Sequence, residues 1–207
     1  TIWEYSTNFD NYFDCFHNFN SMAENIRLFE SYGVDYIVEQ SAYSTPTSEF
    51  SELRLYLWSK LMWDSSLDTD TLIADFMQHY YKDAAEEVMA YFNAIYGHVD
   101  ELVETYGITV RSGGNECMNK SYWTYTTLSS IEDCIEEAFT AIEPLKTSDN
   151  ELYEELYDRI DKQALWVQYW MSYWYEIYID DIDAYKADWV SRARSYGITM
   201  YSEGVYI

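Results

Sequence analysis

The chain has 207 residues, with 12 Lys or Arg against 37 Asp or Glu, for a formal charge of −25. A surface this acidic repels phosphate backbones and anionic lipid, which argues against nucleic acid and membranes as partners and leaves neutral ligands such as sugars open. Hydrophobic residues make up 48% and aromatic residues 19%, including 23 Tyr, 8 Trp and 9 Phe, a composition that supports a packed core and not disorder.

The first stretch differs from the rest of the chain. Thr1 to Ser6 (TIWEYS) predicts a short strand, and a loop carrying Asn8, Asp10, Asn11, Asn18 and Asn20 comes next. Ser21-Met-Ala-Glu24 has the pattern of a capping box opening a helix to about Tyr32, and Gly33 ends it. Val34 to Glu39 predicts a buried strand, completing a strand–helix–strand order before a polar loop to Thr47.

From Ser48 onward helices dominate. Phe50, Leu53, Leu57 and Leu61 share one face of the first, and Asp70 is the expected cap of a second that runs to Tyr80. Val88, Phe92, Ile95, Val99, Leu102 and Tyr106 stripe a longer one. Ser129 and Glu132 predict another capping box, in a helix whose Leu128, Ile131, Ile135, Ala138, Ile142 and Leu145 recur in steps of three and four, with Pro144 near its end. Ser148 and Glu151 are the expected cap of a long helix, striped by Leu152, Leu156, Ile160, Ala164, Val167, Met171 and Trp174 and aromatic on every side between Trp166 and Tyr178. That aromatic end suits either burial between helices or a sugar-stacking wall. The last helix starts near Asp181 and buries Ile182, Tyr185 and Trp189.

Ser31-Tyr-Gly-Val, Thr105-Tyr-Gly-Ile and Ser195-Tyr-Gly-Ile repeat one helix-stop signal, and the extended runs Ile108 to Val110 and Ile198 to Tyr201 suggest a small strand pairing. Gly113-Gly114 predicts a lone turn and not a phosphate loop. Three Cys and three His are scattered without metal-ligand spacing, so no metal or cofactor is expected; one disulfide remains possible. No apolar run is long enough to span a bilayer. Thr1 falls inside a predicted strand, so a native N-terminus further upstream is expected.

Leu55 to Tyr96 (LYLWSKLMWDSSLDTDTLIADFMQHYYKDAAEEVMAYFNAIY) resembles the signature of a bacterial family catalogued as domain of unknown function 4838. Ile2-Trp-Glu-Tyr-Ser-Thr-Asn8, Asn25 to Gly33, Tyr36-Ile-Val-Glu-Gln40 and the closing Tyr196 to Gly204 are similar to it as well. The resemblance implies a glycoside-hydrolase-like protein with a hexosaminidase-type (β/α)₈ barrel followed by a helical domain. The expected fold is therefore mainly α: residues 1–47 as a short βαβ remnant of the barrel, and residues 48–207 as a bundle-like helical C-terminal domain. It also implies a carbohydrate partner, an upstream barrel domain of the same protein, and an extracellular or cell-surface setting.

Barrel enzymes carry substrate groups at the C-terminal ends of their strands. By resemblance, Trp3, Tyr5, Asn8, Glu39 and Gln40 are the candidate substrate-binding residues; the alternative is that Trp3 and Tyr5 are core packing and Glu39 is a loop residue. No catalytic pair is expected here. Glu86/Glu87, Glu136/Glu137, Glu154/Glu155 and Asp180/Asp181 are adjacent on or beside helices, off their apolar stripes, where neighbours do not converge and a solvated face is expected. The expected function is thus a C-terminal part of a carbohydrate-active protein that is not catalytic alone; the alternative is a non-catalytic helical scaffold or a carbohydrate- or protein-binding module.

Overall fold

The computed structural model describes residues 1–43, 45–47, 49–110 and 116–207, so the Gly113-Gly114 turn lies outside the described residues. Strand β1 (Ile2–Tyr5), helix α1 (Met22–Ser31) and strand β2 (Ile37–Gln40) form a β–α–β unit whose strands pair in parallel, Trp3 opposite Val38 and Glu4 opposite Glu39. The second strand begins three residues later than expected, and it is not buried: Val38 is exposed.

The segment between β1 and α1 is not a solvent loop. Tyr12, Phe13, Cys15, Phe16 and Phe19 are all buried, because its aromatic residues plug the space between the strands and the helices. Helices come in the order α2 (Ser51–Trp63), α3 (Thr69–Tyr80), α4 (Ala85–Tyr106), α5 (Tyr125–Ile142), α6 (Leu145–Ser148), α7 (Asn150–Trp174) and α8 (Ile182–Ser195). Successive helices from α1 to α5 pack on one another; α5 and α8 both pack on α7. The described residues are thus mainly helical.

The apolar stripes lie where their spacing puts them. Leu53, Leu57 and Leu61 of α2, Val88, Phe92, Ile95, Val99 and Leu102 of α4, and Leu128, Ile131, Ile135, Ala138 and Ile142 of α5 are all buried. Tyr106 is exposed, one turn beyond the packed part of α4. Trp166 and Trp170 of α7 are buried while Tyr173 of α7 and Tyr178 just beyond it are exposed, so the aromatic end is half core and half surface. Trp189 of α8 is buried and its neighbours Ile182 and Tyr185 are half-buried.

The helix starts differ from their sequence signals. Ser21 has helical backbone angles, and its hydroxyl donates to the Asn18 carbonyl instead of capping α1. A cap must sit in extended backbone for its side chain to reach back to the first free amides. Asp68, not Asp70, meets that condition and accepts from the Thr71 amide at 2.8 Å. Thr124 caps α5 and Asp149 caps α7, neither of them the expected serine. Asp181 caps α8 as its position suggested.

The stop signal holds at all three sites: Gly33, Gly107 and Gly197 have φ of 67°, 62° and 76°, the left-handed conformation that glycine takes without a Cβ clash. The expected pairing of Ile108–Val110 with Ile198–Tyr201 does not form. Strand β3 (Met200–Ser202) instead pairs antiparallel with β4 (Val205–Tyr206) across a turn at Gly204. A tight turn costs far less closure entropy than joining segments about ninety residues apart.

A buried polar cluster joins the aromatic plug to the helices. Glu49 and Arg54 form an ion pair at 2.7 Å, both side chains almost fully enclosed. Glu49 also accepts from the Phe16 amide at 3.0 Å and the Tyr96 hydroxyl at 2.6 Å, and Arg54 donates to the Phe16 carbonyl at 2.9 Å and to Asn18. Burial pushes the Glu49 carboxyl up from its ordinary value, against the pull of Arg54 and these hydrogen bonds. Phe50, next to Glu49, holds a left-handed φ of 47°, and its amide donates to Gln163 of α7 at 3.0 Å. Removing one member leaves the other charge buried and unpaired. Arg54→Met is therefore expected to lower stability by about 3–5 kcal/mol, measured as a shift of the urea unfolding curve.

Candidate functional site

Strand alternation divides β1 and β2 into two faces. Ile2, Glu4, Ile37 and Glu39 face α1 and α2, where Ile37 meets Ile26 and Leu61 around one cavity. Trp3, Tyr5, Val38 and Gln40 lie on the opposite face, with Trp3 60% and Tyr5 44% exposed. The expected site residues are therefore not all brought together. Trp3 and Gln40 meet, the indole Nε1 donating to Gln40 Oε1 at 2.9 Å. Tyr5 stands edge-on to Phe9 with ring centroids 5.5 Å apart. Glu39 is on the other face, and Asn8 is buried.

Asn8 serves a local structural role. Its side chain accepts from the Asp10 amide at 3.0 Å and donates to Asp14 at 2.5 Å. Burial pushes the Asp14 carboxyl up to about 7 despite that hydrogen bond.

Glu39 has a partner not recognised from the sequence, Glu4, directly opposite it in the parallel register. Ser6 Oγ donates to Glu39 at 3.3 Å and itself accepts from Trp58 Nε1 of α2 at 3.0 Å, while Asn25 of α1 donates to Glu4 at 3.2 Å. The remaining oxygens, Glu4 Oε2 and Glu39 Oε1, are buried without a donor. A proton on Glu39 shared with Glu4 satisfies both, and burial together with the Glu4 carboxylate pushes Glu39 up to about 8. The pair lies beside a cavity of about 280 Å³ lined by Ser6, Glu39, Arg54 and Trp58. Glycoside hydrolysis needs its carboxyls separated by about 5 Å or more, on either side of the scissile bond. Two carboxyls sharing a proton leave no such gap, so this pair holds a proton and does not flank a substrate.

The adjacent acidic pairs on the helices are solvated as expected: Glu86, both members of Glu136/Glu137, Glu154/Glu155 and Asp180/Asp181 are exposed, and Glu87 is half-buried. The cysteines are free thiols. Among the described residues no three His, Cys, Asp or Glu side chains converge as metal ligands. An aromatic cleft of about 380 Å³ opens between α7 and α8, lined by Tyr169, Tyr173, Trp189 and Tyr201 with Lys186 at its side.

Residues 1–93 match the model of a family described as Domain of unknown function (DUF4838). The match covers β1, β2, α1 to α3, the Glu49–Arg54 pair and most of the segment that carried the resemblance. It stops inside α4. Neither a curated protein nor a solved structure matches the chain.

The Glu39 proton has a measurable consequence. In the unfolded chain Glu39 titrates near 4.5 and in the fold near 8, so its contribution to stability is complete below the lower value and is lost as pH rises through the upper one. Glu39→Gln, which keeps the neutral shape, is expected to raise the thermal midpoint at pH 8 by roughly 2–4 °C, with the difference vanishing near pH 4. Differential scanning calorimetry across that range checks it.

Proposed function

We propose that the chain is part of a glycoside-hydrolase-like, carbohydrate-active protein. In this reading β1–α1–β2 is one unit of a (β/α)₈ barrel, Trp3, Tyr5 and Gln40 line part of its sugar pocket, and the helices from α2 onward buttress the barrel. The observation that carries the reading is the exposed face of the strand pair. Parallel strands normally sit in larger sheets covered on both sides, and here only the face toward α1 and α2 is covered. The face left open holds an indole fixed by Gln40 at the C-terminal end of its partner strand, the end where barrel enzymes bind substrate. A fixed aromatic plane suits the apolar face of a pyranose, and the net charge of −25 favours a neutral glycan over an anionic one.

Glu39 and Asn8 take supporting roles in this reading, Glu39 as the proton-holding partner of Glu4 and Asn8 as the brace of Asp14. The acid chemistry of hydrolysis then belongs to other strands of the barrel. The chain alone is expected to turn over none of a panel of nitrophenyl glycosides. It is expected to bind a member of a neutral oligosaccharide array, with Trp3→Ala weakening that binding by about tenfold. Turnover by the chain, or no binding to any glycan, overturns the reading. Binding that survives Trp3→Ala but not Tyr173→Ala favours the alternative of a non-catalytic carbohydrate-binding module using the cleft between α7 and α8.

A further inference from the structure

The acidic pair that joins β1 to β2 lies next to the residues of the open strand face. Trp3 precedes Glu4, Gln40 follows Glu39, and Trp3 Nε1 donates to Gln40 Oε1 across the same two strands at 2.9 Å. The backbone fastens the ends of this pair: the Ile2 amide donates to the Tyr36 carbonyl at 2.9 Å and the Ser6 amide to the Gln40 carbonyl at 2.8 Å. Each strand has only 4 residues. A two-stranded sheet is marginal by itself, so one contact between its centre positions carries weight.

Carboxyls directly opposite one another in a sheet repel when both are charged. Here Glu4 Oε2 and Glu39 Oε1 are buried without another donor, so a shared proton is what makes the juxtaposition favourable. The surrounding groups offer no substitute for it. Ser6 beyond β1 and Asn25 of α1 are neutral donors, and Trp58 of α2 reaches only Ser6. On α1 the charged Arg27 and Glu30 are engaged with Ser65. The cation of the adjoining cavity, Arg54 of α2, is committed to Glu49, the Phe16 carbonyl and Asn18. Once the proton leaves, two half-enclosed carboxylates face each other with no cation to take up either charge.

We propose that the Glu4–Glu39 pair is a pH switch for the open strand face: with its shared proton it clamps β1 to β2 and holds Trp3 against Gln40, and without it the strands part at this register and the indole is released. Burial, and after it the Glu4 carboxyl, put the transition near pH 8. The folded group binds its proton more tightly than the unfolded one, so the clamp is closed at neutral pH and below and opens as the solution turns alkaline. Because the two carboxyls share one proton, the transition belongs to the pair and not to Glu39 alone. The switch governs glycan binding only if the carbohydrate reading of this face holds; the clamp itself is read without a glycan.

The test follows the Trp3 indole N–H signal of the full, ligand-free chain by NMR, assigned by its loss in Trp3→Phe. The signal is expected to move in one step centred near pH 8. Above the step the Ser6 amide, which donates across the strands, is expected to exchange at least about tenfold faster relative to the Phe50 amide, held by buried Gln163. Glu39→Gln and Glu4→Gln each keep an amide–carboxylate bond with one fixed charge, and each is expected to abolish the step, so the test survives misfolding of either. The neutral oligosaccharide array, read at about pH 6 and about pH 9.5, is expected to show binding at least about tenfold weaker at the higher pH. An unmoved signal, a step that persists in both variants, or an unchanged Ser6 exchange ratio overturns the switch. A titrating signal and faster Ser6 exchange with no glycan bound at either pH support the switch and overturn the carbohydrate reading instead.

Discussion

The structure depends on one buried ion pair. Glu49 precedes α2 and Arg54 lies in its first turns, but the groups they satisfy come from elsewhere: the backbone of Phe16, the Asn18 side chain and the Tyr96 hydroxyl of α4. Arg54 also lies 4.4 Å over the Phe19 ring. A buried pair returns little net stability against its desolvation cost, and its effect is selective. Only one placement of the plug against α2 and α4 satisfies every partner, so the pair fixes how the strand unit meets the helices.

The site is a result of that placement. With the plug seated, α1 and α2 cover one face of the strand pair and enclose Glu4 and Glu39. The same plug supplies His17 and Phe19 to a cavity between α1, α3 and α4. One segment of irregular backbone thus shapes both polar regions, and the open strand face is the part that the plug and helices leave uncovered.

The sequence made the helices legible because their signal is local. A stripe such as Leu53, Leu57, Leu61 is set by the 3.6-residue period and needs no knowledge of the partner. The caps were less legible, since Asp68 and Asp70 carry the same side chain and only the backbone decides which one caps: Asp68 is extended and Asp70 lies inside α3. The plug looked like a loop because its asparagines suggested turns; its five buried aromatic and thiol side chains were the stronger signal. Alternation placed Trp3 and Tyr5 on one side of β1, and the same rule sets Glu39 apart from Gln40 once both are on a strand. Pairs such as Glu49 with Tyr96, or His17 with Asp100, are joined only by tertiary packing, and nothing local in their neighbourhoods announces them.

The C-terminal hairpin closes back on the first segment. The Tyr12 amide donates to the Tyr201 carbonyl at 2.7 Å, the Glu203 amide to the Phe9 carbonyl at 3.3 Å, and the Thr199 amide to Thr45 Oγ1 at 2.8 Å. These contacts span most of the chain, so during synthesis the strand unit emerges long before the residues that fasten it. The helices α2 to α5, whose contacts run between neighbours, can gather first, while the plug and strands wait for the hairpin to be synthesised. Until the hairpin closes, the apolar side chains of the plug stay exposed, and the plug is the segment that shapes both polar regions.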